Sequence, residues 1–474
     1  MTQLDVRNPR TGAVDYSIAP LDAAAVASCA EQLRASQPAW AALPLAARIE
    51  ALEAFGRALG ELAIDVAAAL ELDTGRRKIA AIEVRGVTSM IARWAALAPG
   101  LVERETPARA TSIPGITAAT ALHPYPLVGI ISPWNFPLTL ALIDAIPALA
   151  AGCAVIVKPS EMTPRFIAPL MRVIGSVPAL AGVFRVIKGD GSTGAALVEA
   201  VDYICFTGSV ATGRKVAAAA AAAFIPASLE LGGKDPMLVL ASADPVAAAQ
   251  IALRASVVAT GQACQSIERV YVARAVAAPF IEALVAAASA VTLNWPDIAH
   301  GDIGPFIVAA QADIVAAQLA DAVARGARVL TGGSVETLGG GRYLSPTVLV
   351  DVTPEMAVMR DETFGPVIPV TIFDTLDEAV ALANAGDFGL SAAVIAATLA
   401  EAQAVAVRLH AGAVSLNDGA LTNMVADVEK TSFGLSGLGA SRMGASGLLR
   451  FYRRQALLRQ DGVPLPLAAY AEGD

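Results

Sequence analysis

The chain has 474 residues, too many for one compact core, so two or three domains are expected. Hydrophobic residues make up 55% of it, yet the longest uncharged stretch, 110–143, is broken by five prolines and holds no clean apolar run of about 20 residues, which argues against a membrane span. A net charge of −9 without a basic stripe argues against nucleic acid as a partner.

In chain order, residues 1–20 read as an extended arm with turns at Asn8-Pro9 and Thr11-Gly12. They lack the basic-then-apolar pattern of a signal peptide. From about 21 to 100 the periodicity predicts three amphipathic helices, and the run "ALEAFGRALGELAIDVAAALELDTG" ends at Gly75. "ATSIPGITAATALHPYPL" (110–127) reads as a hairpin around Pro114-Gly115. From 128 the rhythm changes to short β-branched runs, "LVGIIS", "CAVIVKPS", "FRVIKG" and "DYICFTGS", with helical segments between them. A second series begins at "PMLVL" (236–240) and continues through "RVYVAR", "RVLTGG", "TVLVDV" and "VIPVTIF". Buried strands alternating with helices predict two α/β domains with parallel sheets.

The four cysteines (29, 153, 205 and 264) and three histidines (123, 300 and 410) show no metal-ligand or CxxC spacing. Free thiols in a reducing cytoplasm are expected, and no metal site.

Several strand ends carry polar residues, each with a bland alternative. Lys158 and Glu161 in "VIVKPSE" could hold ribose hydroxyls or form a solvated loop. Gly208, Ser209 and Gly213 in "FTGSVATG" open a helix; they suit a phosphate at its N-terminus, or only a turn. Glu230 in "LELGGKDP" ends an apolar run, where a desolvated carboxylate suits a general base, or else an ion pair. Asn135 in "SPWNFPL" sits between stiffening prolines, so its amide is pre-oriented, or merely closes a turn. Glu362 lies in "ETFGPV" beside Phe364. Cys264 in "TGQACQSIERV" is a packed thiol or a nucleophile.

The order "PWNFP", "VKPSE", "FTGS", "LELGGK", "GQAC", "ETFGPV", with Cys264 34 positions beyond Glu230, resembles the NAD(P)-dependent aldehyde dehydrogenase superfamily over about residues 5–460. The resemblance implies an α/β fold of two Rossmann-like open parallel-sheet domains plus a small β oligomerisation extension. The cofactor domain would comprise 1–108 and 125–231, the catalytic domain 232–440, and the extension and tail 109–124 and 441–474. It implies Cys264 as nucleophile, Asn135 as oxyanion donor with the cysteine's own N–H, and Glu230 as the base for thioester hydrolysis. Lys158 and Glu161 would hold the adenosine ribose, Gly208 and Ser209 the pyrophosphate, and Glu362 and Phe364 the nicotinamide ribose. Glu161 favours NAD, while Lys158 and Ser160 leave NADP open.

The aldehyde tunnel implied by the resemblance runs along Phe136, Thr139, Ile143, Gln265 and Phe433. It is mostly apolar, without arginine or lysine, and suits an aromatic or medium-chain aldehyde. The chain departs from the family in three places, one of them Ala263 and Gln265 on either side of Cys264. Asp144 stands nine positions after Asn135, where many relatives carry a lysine, and "SFGLSGLGASRMG" (432–444) lacks its usual lysine. A homodimer or homotetramer is implied. The rivals are a CoA-acylating semialdehyde dehydrogenase, which typically lacks the Glu230 carboxylate, and a catalytically silent relative.

Overall fold

The computed structural model describes residues 3–473. The N-terminal arm is two extended strands, Leu4–Arg7 and Val14–Ile18, which pair antiparallel across the expected turns at Asn8-Pro9 and Thr11-Gly12. Gly12 turns the hairpin at φ 68° and lies against Gly340, so the arm docks on a distant turn that local patterning does not reveal.

Four helices follow instead of three: Ala23–Ala42, Leu45–Glu61, Ala63–Thr74 and Arg77–Glu105. The apolar periodicity runs straight through the break at Leu62, which hides it from sequence. Asp22 caps the first helix by accepting from Ala25 N, and Gly75 ends the third in the left-handed region, as its position predicts.

A six-stranded sheet has the order Gly437–Leu438, Ala227–Glu230, Tyr203–Thr207, Leu127–Ile131, Ala154–Lys158, Phe184–Val186. Every pair is parallel except the outermost, where Gly437 meets Glu230 antiparallel. The first of these strands in the chain, Leu127–Ile131, lies in the middle, so the connections diverge beside it. That divergence is a topological switch point, where a ligand crevice opens at the carboxyl ends. Strands such as Ala154–Lys158 are buried along their whole length, which explains their continuous apolar runs.

A seven-stranded sheet has the order Arg328–Thr331, Thr347–Val350, Val367–Phe373, Ile267–Ala273, Asp235–Val239, Ser391–Ile395, Ala413–Leu416. It is parallel but for its first pair, which departs from the all-parallel expectation. Its last two strands are rich in small residues ("SAAVI", "AVSL") and carry little β-branched signal, so the sequence series omits them. A third sheet pairs Tyr452–Gln460 with Ile116–Pro124, and that strand with Arg109–Ala110. The 110–127 hairpin is therefore present, extended by a C-terminal strand.

One apolar core gathers residues from Val26 to Leu231 and takes in Leu448, Leu449 and Phe451 near the C-terminus. Two others begin at Met237 and Leu238. Among the described residues no helix is long and apolar enough to cross a membrane.

Candidate active site

The carboxyl edge of the six-stranded sheet faces the amino edge of the seven-stranded one. Lys158, Thr207 and Glu230 end parallel strands of the first. Lys234, Cys264 and Glu362 lie just before the strands Asp235–Val239, Ile267–Ala273 and Val367–Phe373 of the second. The carboxyl-end rule thus accounts for Lys158, Thr207 and Glu230 only. The thiol arrives from the opposite ends of the other sheet.

The glycines of "LELGGK" are where these segments touch. A side chain at Gly232 would run into the Glu362 carboxylate, and a Cβ at Gly233 would stand 2.6 Å from the carbonyl oxygen of Cys264. Both positions must lack a Cβ for the loops to close.

Cys264 follows a strained turn. Ala259, Thr260 and Gly261 hold φ of 57°, 63° and 66° in succession, and Gly261 packs against the Gly365 backbone. Two non-glycine residues in the left-handed region need outside support. Thr260 Oγ1 donates to Gly304 O at 3.1 Å. The buried Gln262 acts as a strut: its Oε1 accepts from Ile307 N at 3.0 Å and its Nε2 donates to Pro305 O at 3.3 Å. The glutamine of "GQAC" is thus structural. Burial first, then the charges of Glu362 and Glu230, push the Cys264 thiol up to about 12, against the opposing pull of Arg442. Cys153 and Cys205 are fully buried beside apolar strands, as packed thiols.

Asn135 is buried, and its Nδ2 donates to Gln262 O at 3.0 Å. No other partner within the described residues takes its second amide hydrogen. Two residues that the motifs did not flag hold it in place. Arg76 donates to Asn135 O and, at 3.2 Å, to Ala259 O, tying the asparagine to the cysteine turn. Glu83 Oε2 accepts from Leu138 N at 3.1 Å and Thr139 N at 3.0 Å, capping the short helix Pro137–Leu142. Burial raises Glu83 to about 7, with those hydrogen bonds and Arg76 opposing it. Their position on the preceding long helix and turn carries no local signal.

Glu230 does not enter an apolar surround, contrary to the sequence reading. Ser432 Oγ donates to its Oε2 at 3.2 Å, and Arg442 Nε lies 4.0 Å from Oε1. Asp144 is no mere loss of a lysine either. It is buried and accepts from Arg442 Nη2 at 3.1 Å and Arg450 Nη2 at 2.5 Å.

The crevice at the switch point has a volume of about 560 Å³ and is lined by Trp134, Lys158, Glu161, Gly208, Ser209 and Lys215, among others. Ser209 caps the helix Val210–Ala222, accepting from Thr212 N at 3.3 Å, so the positive helix end meets the crevice. Lys158 is less free than expected. Its ammonium donates to Gly189 O at 2.9 Å and Pro159 O at 3.1 Å, and meets Glu161 at 3.5 Å. It orients Glu161, and burial lowers its pKa. Lys215 is a crevice cation that the motifs missed.

Glu362 accepts from Gly233 N at 3.2 Å. Its loop is anchored by Glu268, which accepts from Thr363 N at 2.8 Å, Phe364 N at 2.7 Å and Lys234 Nζ at 2.7 Å. Phe364 takes φ 52° and meets Trp134 edge-on at 5.4 Å. Burial, with Glu268 adding its charge, raises Glu362 to about 8.

Of the tunnel residues, Phe136, Thr139 and Ile143 are half-buried on the turn and helix after Asn135. Gln265 is buried, and its Oε1 has no hydrogen-bond partner within the described residues. Phe433 is exposed and adjoins Ser432. The sequence reading found no cation here. The structure adds Lys430, largely enclosed, close enough to Glu230 and Cys264 for their charges to act on it, and donating to Thr422 O at 3.0 Å.

Residues 1–457 match the sequence profile of the aldehyde dehydrogenase family. A Mycolicibacterium smegmatis protein provisionally named succinate-semialdehyde dehydrogenase [NADP(+)] is 37% identical over 91% of this chain and 84% of its own length. A Methylomonas 4,4'-diapolycopene aldehyde oxidase is 36% identical over 88% of this chain and 77% of its own. Among solved structures, PutA of Anabaena variabilis, provisionally named an aldehyde dehydrogenase, superposes with TM-score 0.96 at 49% identity, covering 98% of this chain and 99% of that one. Lactaldehyde dehydrogenase of Escherichia coli superposes with TM-score 0.91 at 32% identity, covering 97% and 96%.

Proposed function

The chain belongs to the aldehyde dehydrogenase family, and from that premise we propose that it oxidises an aldehyde to the carboxylic acid through a covalent adduct on Cys264, with NAD or NADP as oxidant. The observation that carries the reading is the convergence of Cys264, Asn135 and Glu230 where the two sheet edges meet, next to a crevice suited to a dinucleotide.

Burial, with the Glu362 and Glu230 carboxylates adding to it, holds the Cys264 proton, so the thiol needs a base as it attacks, and Glu230 takes that proton in this reading. Sulfur bonds to the carbonyl carbon, and the carbonyl oxygen becomes an oxyanion. The free amide hydrogen of Asn135 and the Cys264 N–H stabilise it. The crevice residues and Glu362 would hold an oxidised nicotinamide dinucleotide, which would supply the hydride acceptor for that carbon and so leave a thioester on Cys264. Glu230, having passed the first proton to solvent, draws a second from water, whose oxygen attacks the thioester carbon, and returns it to the leaving sulfur. The carbon–sulfur bond breaks, the acid leaves, and the thiol is restored.

The crevice residues fit a dinucleotide: Glu161 for ribose hydroxyls, Ser209 and the helix end for pyrophosphate, Glu362 for the second ribose. Glu161 supports NAD; Lys215 and the name of the Mycolicibacterium relative support NADP. Cofactor binding is assigned to residues 1–108 and 125–231 and catalysis to 232–440. A ribose hydroxyl donates more strongly to an ionised acceptor. With Glu362 raised to about 8, cofactor affinity is expected to rise between pH 7 and 9, by about tenfold at most, as the carboxyl ionises. The Kd of Glu362→Gln is expected to stay flat over that range in a fluorescence titration.

For the substrate, the mostly apolar tunnel supports an aromatic or medium-chain aldehyde, in keeping with the apolar substrate named for the Methylomonas relative. Lys430 favours a second reading, an aldehyde with a carboxylate tail, in keeping with the Mycolicibacterium name. A panel of benzaldehyde, hexanal and succinate semialdehyde, with each dinucleotide and with or without CoA, separates them by kcat/KM. A CoA requirement would overturn hydrolysis.

Leu457 and Leu458 are exposed on the edge strand Tyr452–Gln460, whose outer side has no partner strand. Residues 109–124 and 441–474 are assigned to self-association on this ground. A solution mass two or four times 48.2 kDa is expected, and a monomer would refute the assignment. All four thiols are free, in keeping with a reducing compartment such as the cytoplasm.

A further inference from the structure

The ion cluster behind Glu230 holds more positive charge than its own anion needs. Asp144 is buried and stands where the family resemblance implied a lysine. Arg450 alone, at 2.5 Å, neutralises it. Arg442 is also buried and adds a second positive charge at 3.1 Å. A surplus charge in the interior is costly unless another anion shares it. The other anion is Glu230.

Three contacts fix how Arg442 meets it. Its Nη2 donates to Asp144 Oδ2 at 3.1 Å and to Thr207 Oγ1 at 2.5 Å. Thr207 is the strand partner of Glu230, so the clamp is built on the neighbouring strand. The Nε of Arg442 is buried and has no hydrogen-bond partner within the described residues, and it lies 4.0 Å from Glu230 Oε1. The other Glu230 oxygen accepts from Ser432 at 3.2 Å. A shift of about 1 Å would turn the open approach into a hydrogen bond.

We propose that Arg442, clamped by Asp144 and Thr207, is a positioning residue for Glu230, offering the carboxylate a second station opposite Ser432 from which it activates water. The proposal rests on the reading of Glu230 as the base for thioester hydrolysis. Asp144 is thereby the anchor of a cation delivered from residue 442, in place of a cation on its own helix. Arg442 touches no reacting atom; it acts through Glu230, so its main effect falls on the hydrolytic half of the cycle, with a smaller one on the Cys264 thiol, whose pKa it lowers.

The test compares Arg442→Met, Arg442→Lys and Glu230→Gln in the full-length enzyme with hexanal. Two readouts are the first equivalent of NAD(P)H, by stopped flow, and steady-state kcat and KM. In Arg442→Met, Asp144 keeps Arg450, so no buried charge is orphaned. The first equivalent should slow less than steady-state turnover, because burial and the carboxylates of Glu362 and Glu230 outweigh Arg442 at the Cys264 thiol. Steady-state turnover should fall about tenfold or more, the loss of a hydrogen bond between charged groups. Arg442→Lys keeps the charge and should recover most of that turnover. If Arg442→Met does not fold, Arg442→Gln, which keeps a side-chain amide for Thr207 and Asp144, is read in the same way. Wild-type turnover in Arg442→Met, with Glu230→Gln losing turnover, would overturn the proposal alone. Normal turnover in Glu230→Gln would overturn the general-base reading itself.

Discussion

Replacing Cys264 by alanine is expected to abolish aldehyde-dependent NAD(P)H formation while leaving the dinucleotide bound with unchanged affinity. The sulfur is the atom to which the carbonyl carbon bonds, and no other thiol can substitute. Cys153 and Cys205 are fully buried. Cys29 is packed against the first core, away from the facing sheet edges. The turn that carries Cys264 is held by Gln262, Thr260 and Asn135 rather than by the thiol, so the variant should fold with a stability change within about 1 kcal/mol. Turnover above about a thousandth of wild type at saturating hexanal, with cofactor binding intact, would exclude Cys264 as the nucleophile.

Asn135→Ala is expected to lower kcat by about 10² to 10³ with a small change in KM, because the amide acts on charge that appears only after attack. The same amide also donates to Gln262 O, so a loosened cysteine turn must be told apart from a lost oxyanion donor. Alkylation of Cys264 by iodoacetamide makes that distinction, since it develops no oxyanion. With Arg76 still bridging residues 135 and 259, alkylation should proceed at nearly the wild-type rate. A parallel fall in alkylation and kcat would make Asn135 a support of the turn and no more.

Sequence determined a good deal by itself. Features set by neighbours in the chain were legible: the glycine that ends the helix Ala63–Thr74, the buried strands of the six-stranded sheet, and the order of motifs that points to the family. Local rules read them because the cause lies within a few residues: a left-handed φ, a β-branched run, a capped turn. The docking of the N-terminal arm on Gly340, the break at Leu62 and the last two strands of the seven-stranded sheet were not legible, since each depends on what it packs against.

The surroundings of the motif residues belonged to the tertiary structure alone. Arg76 and Glu83 reach Asn135 and its helix across more than fifty positions, and Arg442 reaches Asp144 across 298. The environment of Glu230 was misread for the same reason. The apolar run before it is a strand interior, while its side chain lies under Ser432 and Arg442, two hundred residues further on. The residue types that carry the chemistry can be recognised from a one-dimensional pattern. Their protonation and orientation depend on burial and on charges brought close by folding, which sequence spacing does not encode.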